Sequence, residues 1–231
     1  MAEPKSAVTA PRGTRARLST ERILAAAMGL ADRDGIAGLS MRRLADLLDV
    51  APMAIYKHVA NKDELLDRMV DVVFGEVELA LEVGWRDALR RRALSKRAAL
   101  LRHPWAIGLM EARTPGPANL RHHDEMVRCL RVSAGLSITQ ALHAYSLMDS
   151  YIYGFAFQQS SVVNGATEVA VGARALADGG ALLPGHHPHL DELVAEVVRS
   201  GYDFDEEFEF GLDTLLDGIE RIPRPGGDSS I

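Results

Sequence analysis

Between Ala51 and Val59 the chain reads Ala51-Pro52-Met53-Ala54-Ile55-Tyr56-Lys57-His58-Val59, a phenol, an ammonium and an imidazole in a row beside two aliphatic residues four positions apart. At helical pitch Ile55 and Val59 share one face, which leaves Met53, Ala54, Tyr56, Lys57 and His58 around the outer arc. That set suits a DNA groove. Lys57 and His58 can meet phosphate oxygens, the Tyr56 hydroxyl is a further phosphate donor, and Pro52, Met53 and Ala54 offer apolar contact to thymine methyls. Three flanking residues extend the set. Arg42 can reach a guanine edge or a phosphate, Lys62 a phosphate, and Ser40 stands where the free amides of a helix start attract an anion. The bland alternative is that Tyr56 only packs the helix and Lys57 is only solvated.

Other reactive side chains do not assemble. His143, Tyr145 and Asp149 are the material for an all-helical enzyme, but positions 145 and 149 share a helix face and 143 does not. His122 and His123 are adjacent, about 100° apart on a helix, and cannot share one ion. The run His186-His187-Pro188-His189 reads as a solvated loop without an acidic or cysteine partner at metal-ligand spacing. The single cysteine, Cys129, excludes an internal disulfide. No phosphate-binding loop is present, so no catalytic residue, metal site or cofactor is assigned. An enzyme or a helical ligand carrier is the alternative reading.

The elements that must position these residues are all helical. Ser19 caps a first helix with Ile23, Ala27, Leu30 and Ala31 as its stripe, Leu18 and Ile23 as a hydrophobic staple, and Gly35 as its left-handed end. Ser40 caps a second helix of about two turns, buried through Met41, Leu44, Ala45 and Leu48. After Asp49-Val50, Pro52 opens a third helix at the position that needs no backbone donor. Asn61 caps a fourth, with Glu64 as capping-box partner and Leu65, Leu66, Met69, Val72, Val73 and Val77 as its stripe. Two short helices about a tight turn, braced by longer ones, form a helix-turn-helix pattern.

From Trp85 onward helices continue, with no alternating strand pattern. Trp85, Leu89, Ala93 and Leu100 lead to a break at His103-Pro104. A short segment runs from Trp105 to Ala112, then Thr114-Pro115-Gly116-Pro117 breaks the chain before a helix to about Ala134, closed by Gly135. Ser137 and Gln140 form a capping box for the longest helix, to about Ser160, whose apolar residues nearly encircle it and predict burial on most sides. Residues 162–188 are Gly- and Ala-rich with weak periodicity, a loop or frayed helix. Helices over 190–200 and 205–221 finish the chain. The last helix and the one from Ser137 carry more apolar surface than one thin bundle needs, which predicts a second copy in an isologous four-helix interface.

Charge divides the chain in the same place. Of the formal −6 over 231 residues, residues 1–62 hold +4 and residues 63–231 hold −10. A basic end approaches a polyanion while an acidic body stays clear of it. A chain this long buries roughly 70% of its surface on folding, which excludes disorder as a whole. No apolar run reaches membrane-spanning length and the N-terminus lacks a signal-peptide core, so a cytoplasmic protein is expected.

Residues 19–77 resemble the N-terminal DNA-binding domain of the TetR family of bacterial transcriptional regulators, most specifically through Tyr-Lys-His-Val-Ala-Asn-Lys-Asp-Glu-Leu-Leu over 56–66. The resemblance places DNA contacts on Ser40, Arg42, Pro52, Met53, Ala54, Tyr56, Lys57, His58 and Lys62. Asp49 stands where glycine is common in the turn, and Ala51 is a weak cap. The region from Trp85 to Ile222 is similar to the C-terminal domain of the tetracycline repressor branch. It implies an all-α chain with a helix-turn-helix domain and a larger ligand-binding and dimerisation domain. The expected divisions are a basic tail over 1–18, the DNA-binding domain over 19–66 with its fourth helix reaching about 80, the second domain over 81–222, and a tail over 223–231.

In that repressor a His, an Asn, a Gln and a Glu hold a drug and magnesium, and the matched places here are Met110, Arg92, Val127 and Gln158. Methionine does not ligate a hard cation, so a tetracycline and magnesium complex is not expected. The walls implied for the pocket, Trp105, Leu109, Met110, Met126, Tyr145 and Met148, suit an apolar or aromatic effector, with Arg92 and Asp149 as polar anchors. The resemblance thus implies a homodimeric repressor of an operator in double-stranded DNA, released by that effector, with no enzymatic activity.

Overall fold

The computed structural model describes residues 17–80, 82–162, 172–176 and 187–225. The expected basic tail, apart from Arg17 and Leu18, and most of the Gly- and Ala-rich stretch lie outside them. Every regular element among the described residues is helical.

Helix α1 (Thr20–Gly38) starts at Ser19, whose hydroxyl accepts the Arg22 N–H. Gly35 has φ 68° and interrupts the helix as expected, but one further turn runs to Gly38 before the chain leaves it. Helix α2 (Met41–Leu48) is capped by Ser40, and Asp49 takes the left-handed conformation, φ 53° and ψ 50°, that glycine would take most easily. Helix α3 is short, Pro52–Ile55, with no side-chain cap from Ala51; Ile55, and Val59 in the turn beyond it, are fully buried. Asn61 caps α4 (Lys62–Gly75), but Glu64 accepts the Ala60 N–H rather than that of Asn61, so the reciprocal box is shifted by one residue.

The second region packs α5 (Trp85–Arg102), α6 (Pro117–Arg128), α7 (Ile138–Ser161), α8 (Pro188–Ser200) and α9 (Phe204–Glu220). The short segment after His103 forms a tight helical turn over Pro104–Ala106 and continues in hydrogen-bonded turns to Ala112. Helix α6 ends in a π-type turn over Cys129–Ser133, and Gly135, at φ 72°, closes it. Both hydrogen bonds of the Ser137 and Gln140 capping box are present at the start of α7. The apolar core is continuous from Ile23 in α1 through Phe74 in α4 and Leu100 in α5 to Ile219 in α9. One expectation fails within the single chain. Leu142, Leu147 and Phe157 of α7 are exposed, so that helix buries Ala141, Ala144, Met148, Ile152 and Ala156 on one side only.

Candidate nucleic-acid interface and ligand cavity

Burial of Leu44, Ala45, Ile55 and Val59 fixes which side of the short α2 and α3 pair meets solvent. Met53 is 71% exposed and Tyr56 41%, and Ser40, Arg42, Pro52 and Lys57 are exposed as well, while Ala54 and His58 are half-buried. Among the described residues neither Arg42 nor Lys57 has an acidic partner. Lys62 is placed differently from the others. Its ammonium donates to the Leu39 carbonyl at 2.7 Å, clasping the end of α1 to the start of α4. Arg43 is a local strut: it donates to the Gly38 carbonyl at 2.7 Å and pairs with Asp34 at 2.6 Å.

The residues expected around a ligand separate into two places. Tyr145 and Asp149 line a cavity of about 410 Å³ together with Glu111, His123, Leu142, Ser146, Ser150 and Tyr153. A second cavity of about 290 Å³ shares Tyr145 and Leu142 with it and is lined as well by Val127, Ile138, Thr139 and Ala141. Met110, Met126 and Met148 are buried in the core behind, and Leu109 is half-buried against it. Trp105 does not join them. Its indole N–H donates to Asp32 at 2.6 Å, so it belongs to the joint between α1 and the second region. Gln158 is exposed.

Deeper than the cavity lies a polar interior the sequence did not announce. Lys96, 1% exposed, pairs with Asp149 at 2.8 Å and sits over the Tyr153 ring at 4.4 Å. Burial pushes the Lys96 ammonium pKa down and the Asp149 carboxyl pKa up, and their mutual attraction opposes both shifts. His122, buried against Phe74, has its pKa pushed down to about 2, first by burial and then by the charges of Lys96 and Arg92. Tyr145 and His123 share a hydrogen bond through the phenol and Nδ1, and Tyr153 donates to Glu111 at 2.9 Å. A signal for this interior existed: positions 92 and 96 fall on the same face of α5 as Leu89, Ala93 and Leu100, putting two cations inside an apolar stripe. Among the described residues no group of three or more His, Cys, Asp or Glu is placed to hold a metal ion.

The two sites are mechanically joined. Asp32 of α1 faces His103 Nδ1 at 2.7 Å as well as Trp105, and His103 Nε2 faces Glu76, after α4, at 3.1 Å. As an imidazolium His103 donates to both carboxylates; a neutral ring can donate to only one. Arg102 adds a bond to Glu76 at 2.5 Å. On the other flank of α4, Arg113 pairs with Asp67 at 2.7 Å.

Comparison with known proteins agrees with this layout. Residues 23–69 match the family of bacterial regulatory proteins, tetR family, and residues 80–222 match the tetracyclin repressor-like C-terminal domain. An HTH-type transcriptional regulator of Saccharopolyspora erythraea is 33% identical over 208 residues, covering 89% of this chain and 86% of that protein. The HTH-type transcriptional repressor DrrR1 of Streptomyces coeruleorubidus is 32% identical, covering 91% and 80%. The crystal structure of the Streptomyces coelicolor TetR family protein ActR in complex with actinorhodin superposes with a TM-score of 0.72 at 30% identity, covering 88% of this chain and 97% of that one. Matches of this extent across both regions establish that the chain belongs to the TetR family of bacterial regulatory proteins.

Proposed function

We propose that this chain is a ligand-responsive repressor, cytoplasmic, that binds a pseudo-palindromic operator as a homodimer and is released by a small, largely apolar or aromatic effector. Members of this family are DNA-binding transcription factors, which sets aside the enzyme reading. The observation that carries the proposal is the bonding of α4: it follows the outward-facing arc of Tyr56 and Lys57, and it is held by His103, by Arg113 and by Asn119 of α6, the helix that also gives His123 to the cavity wall. A ligand that reorders those neighbours shifts α4 and with it the reading helix.

In this reading Ser40, Arg42, Pro52, Met53, Ala54, Tyr56, Lys57 and His58 face DNA from a domain over 19–66. Lys62 can still turn a second ammonium hydrogen to phosphate while holding Leu39. The second domain, over 81–222, takes the effector and the partner copy. The fit of an aromatic effector is supported by the cavity's Tyr145, Tyr153 and Leu142 walls, and ActR, a relative of the same shape, is described in complex with actinorhodin. Typical couplings of about 1–3 kcal/mol are enough to alter operator occupancy several-fold.

The test is electrophoretic mobility of DNA flanking the protein's own gene at two salt concentrations. The expected result is a shifted band that weakens as salt rises, because phosphate contacts release counterions. No shift at low salt rejects the proposal.

A further inference from the structure

Arg92 is 3% exposed, yet among the described residues no carboxylate pairs with it. Asp149, the buried acid nearby, is taken by Lys96 one turn along α5. Glu125 is close enough to act on Arg92 through space, but its carboxylate is bonded to Arg128 at 2.6 Å. The guanidinium therefore makes do with poor partners. Nη1 meets the Met126 sulfur at 3.5 Å, Nη2 donates to the Leu79 carbonyl at 2.5 Å, and Nε, fully buried, has no partner. Two more buried atoms without partners stand on the facing helix α6, Asn119 Oδ1 and His122 Nδ1. A buried cation without a counter-charge is costly unless an anion joins it.

We propose that the effector is an aromatic carboxylic acid whose carboxylate binds Arg92 side-on through Nε and Nη2, taking Nη2 from the Leu79 carbonyl. The inference rests on the ligand-responsive reading above. The ring system occupies the 410 Å³ cavity lined by Tyr145 and Tyr153, a volume in the range of small-molecule sites; Arg92 lies outside that lining, and the acid group reaches it inward of His123, past Met126, whose sulfur meets Nη1. Planar bidentate pairing uses two parallel N–H groups on one edge of the guanidinium, and on that edge Nε is vacant while Nη2 holds the segment after α4. Engaging the acid thus unties Leu79, four residues beyond the end of α4.

The experiment measures binding of three acids, 2-naphthoate, anthracene-9-carboxylate and anthraquinone-2-carboxylate, each beside its carboxamide, by calorimetry on the full chain. At least one acid is expected to outbind its amide by roughly tenfold or more, and Arg92→Met to abolish that preference. Arg92→Lys, which keeps the charge without the fork, retains less than a fifth of the acid affinity and serves if the methionine variant does not fold. Hydrogen exchange over 76–80 is expected to quicken in the acid complex. Acids that bind no better than their amides, a preference that survives both variants, or unchanged exchange over 76–80 overturns the proposal. Mobility shifts with promoter DNA on the same preparation separate the two readings: lost acid preference with intact DNA binding rejects the acid alone, and intact acid preference without DNA binding rejects the repressor reading.

Discussion

The Asp71 carboxylate reaches from α4 to accept the backbone N–H of Asn119 at 2.8 Å, capping the first turn of α6 from another helix. Gly116, the residue before α6, has no side chain to do this, and a Cβ there would collide with the Asp71 carboxylate. The negative charge also meets the positive end of the α6 dipole. Any movement of α6 around a ligand is therefore passed to α4 through a short, charged contact. Asp71→Ala is expected to cost about 1–2 kcal/mol, the usual worth of a cap, and Gly116→Ala to cost a similar amount by displacing the same carboxylate. Urea denaturation of the double variant then shows less loss than the two singles together, because both remove one contact. Full additivity would mean that the two residues do not act through it.

On the proposed DNA-contacting face, the exposed positions of Tyr56 and Lys57 allow function to be tested without disturbing structure. Tyr56→Ala and Lys57→Ala are expected to lower operator affinity tenfold or more, at unchanged thermal stability. The salt dependence of Lys57→Ala should also flatten by about one unit, the signature of one lost phosphate contact. Fluorescence anisotropy with labelled promoter DNA across a salt series checks both. Unchanged affinity in the two variants would remove this arc as the contact surface.

The fold was legible where periodicity and caps agree. Ser19, Ser40, Asn61 and Ser137 each cap the helix that their spacing marks, and Ile55 and Val59 are buried as the i, i+4 pattern requires. What the pattern hid lies in contacts between distant segments. Trp105 reads as a pocket wall through the resemblance, but its indole N–H finds Asp32, 73 residues earlier. Arg92 enters the sequence reading only as a polar anchor through the resemblance, and Lys96 not at all, because its partner Asp149 lies 53 residues away. Lys62 belongs with these: a phosphate candidate by motif, it is already engaged with Leu39, 23 residues away.

Acid pH should act through His122. Its folded pKa lies near 2, against about 6.5 in the unfolded chain, so between those values the unfolded state binds the extra proton. Stability contributed by the neutral ring is intact above pH 6.5 and falls as pH drops, by about 1.4 kcal/mol per unit. By pH 4.5 the loss from this group reaches about 2–3 kcal/mol. His122→Leu is expected to remove that part of the acid sensitivity, so that urea midpoints at pH 7 and pH 4.5 lie closer together than in the parent chain. Equal acid sensitivity in the two proteins would show that the ring is not what titrates.

Lys96 and Asp149 form a pair whose value lies in being complete. Lys96 is 1% and Asp149 14% exposed at the side chain, so Asp149→Leu strands a buried ammonium and is expected to cost about 3–5 kcal/mol. Lys96→Met together with Asp149→Leu removes both desolvation penalties and should lie within about 1 kcal/mol of the parent. Thermal denaturation of the two variants beside the parent decides. A double variant as unstable as Asp149→Leu would mean that the pair contributes net stability, by ordering Tyr153 and the cavity wall.

The exposed side of α7 predicts how two copies meet. Phe157 is 61% and Phe210, on α9, 75% exposed, large apolar surfaces that a single chain leaves in water. Beside them the helices narrow: Gly154 has open space around it, and Gly211 allows the Tyr151 ring to lie against α9, where a Cβ would strike the phenol. Tyr151 donates to the Phe208 carbonyl at 2.9 Å, which fixes α7 and α9 side by side as one surface. In the proposed homodimer, a twofold axis through that surface would bury both phenylalanines from each copy. Phe157→Glu and Phe210→Glu place carboxylates at the centre of that contact, where desolvation and like-charge repulsion across the axis oppose association. Each is expected to convert a dimer to a monomer by light scattering, and to weaken binding to a two-half-site operator far more than binding to a single half-site. A folded parent chain that is already monomeric at micromolar concentration, or variants that remain dimeric, would place the partner elsewhere.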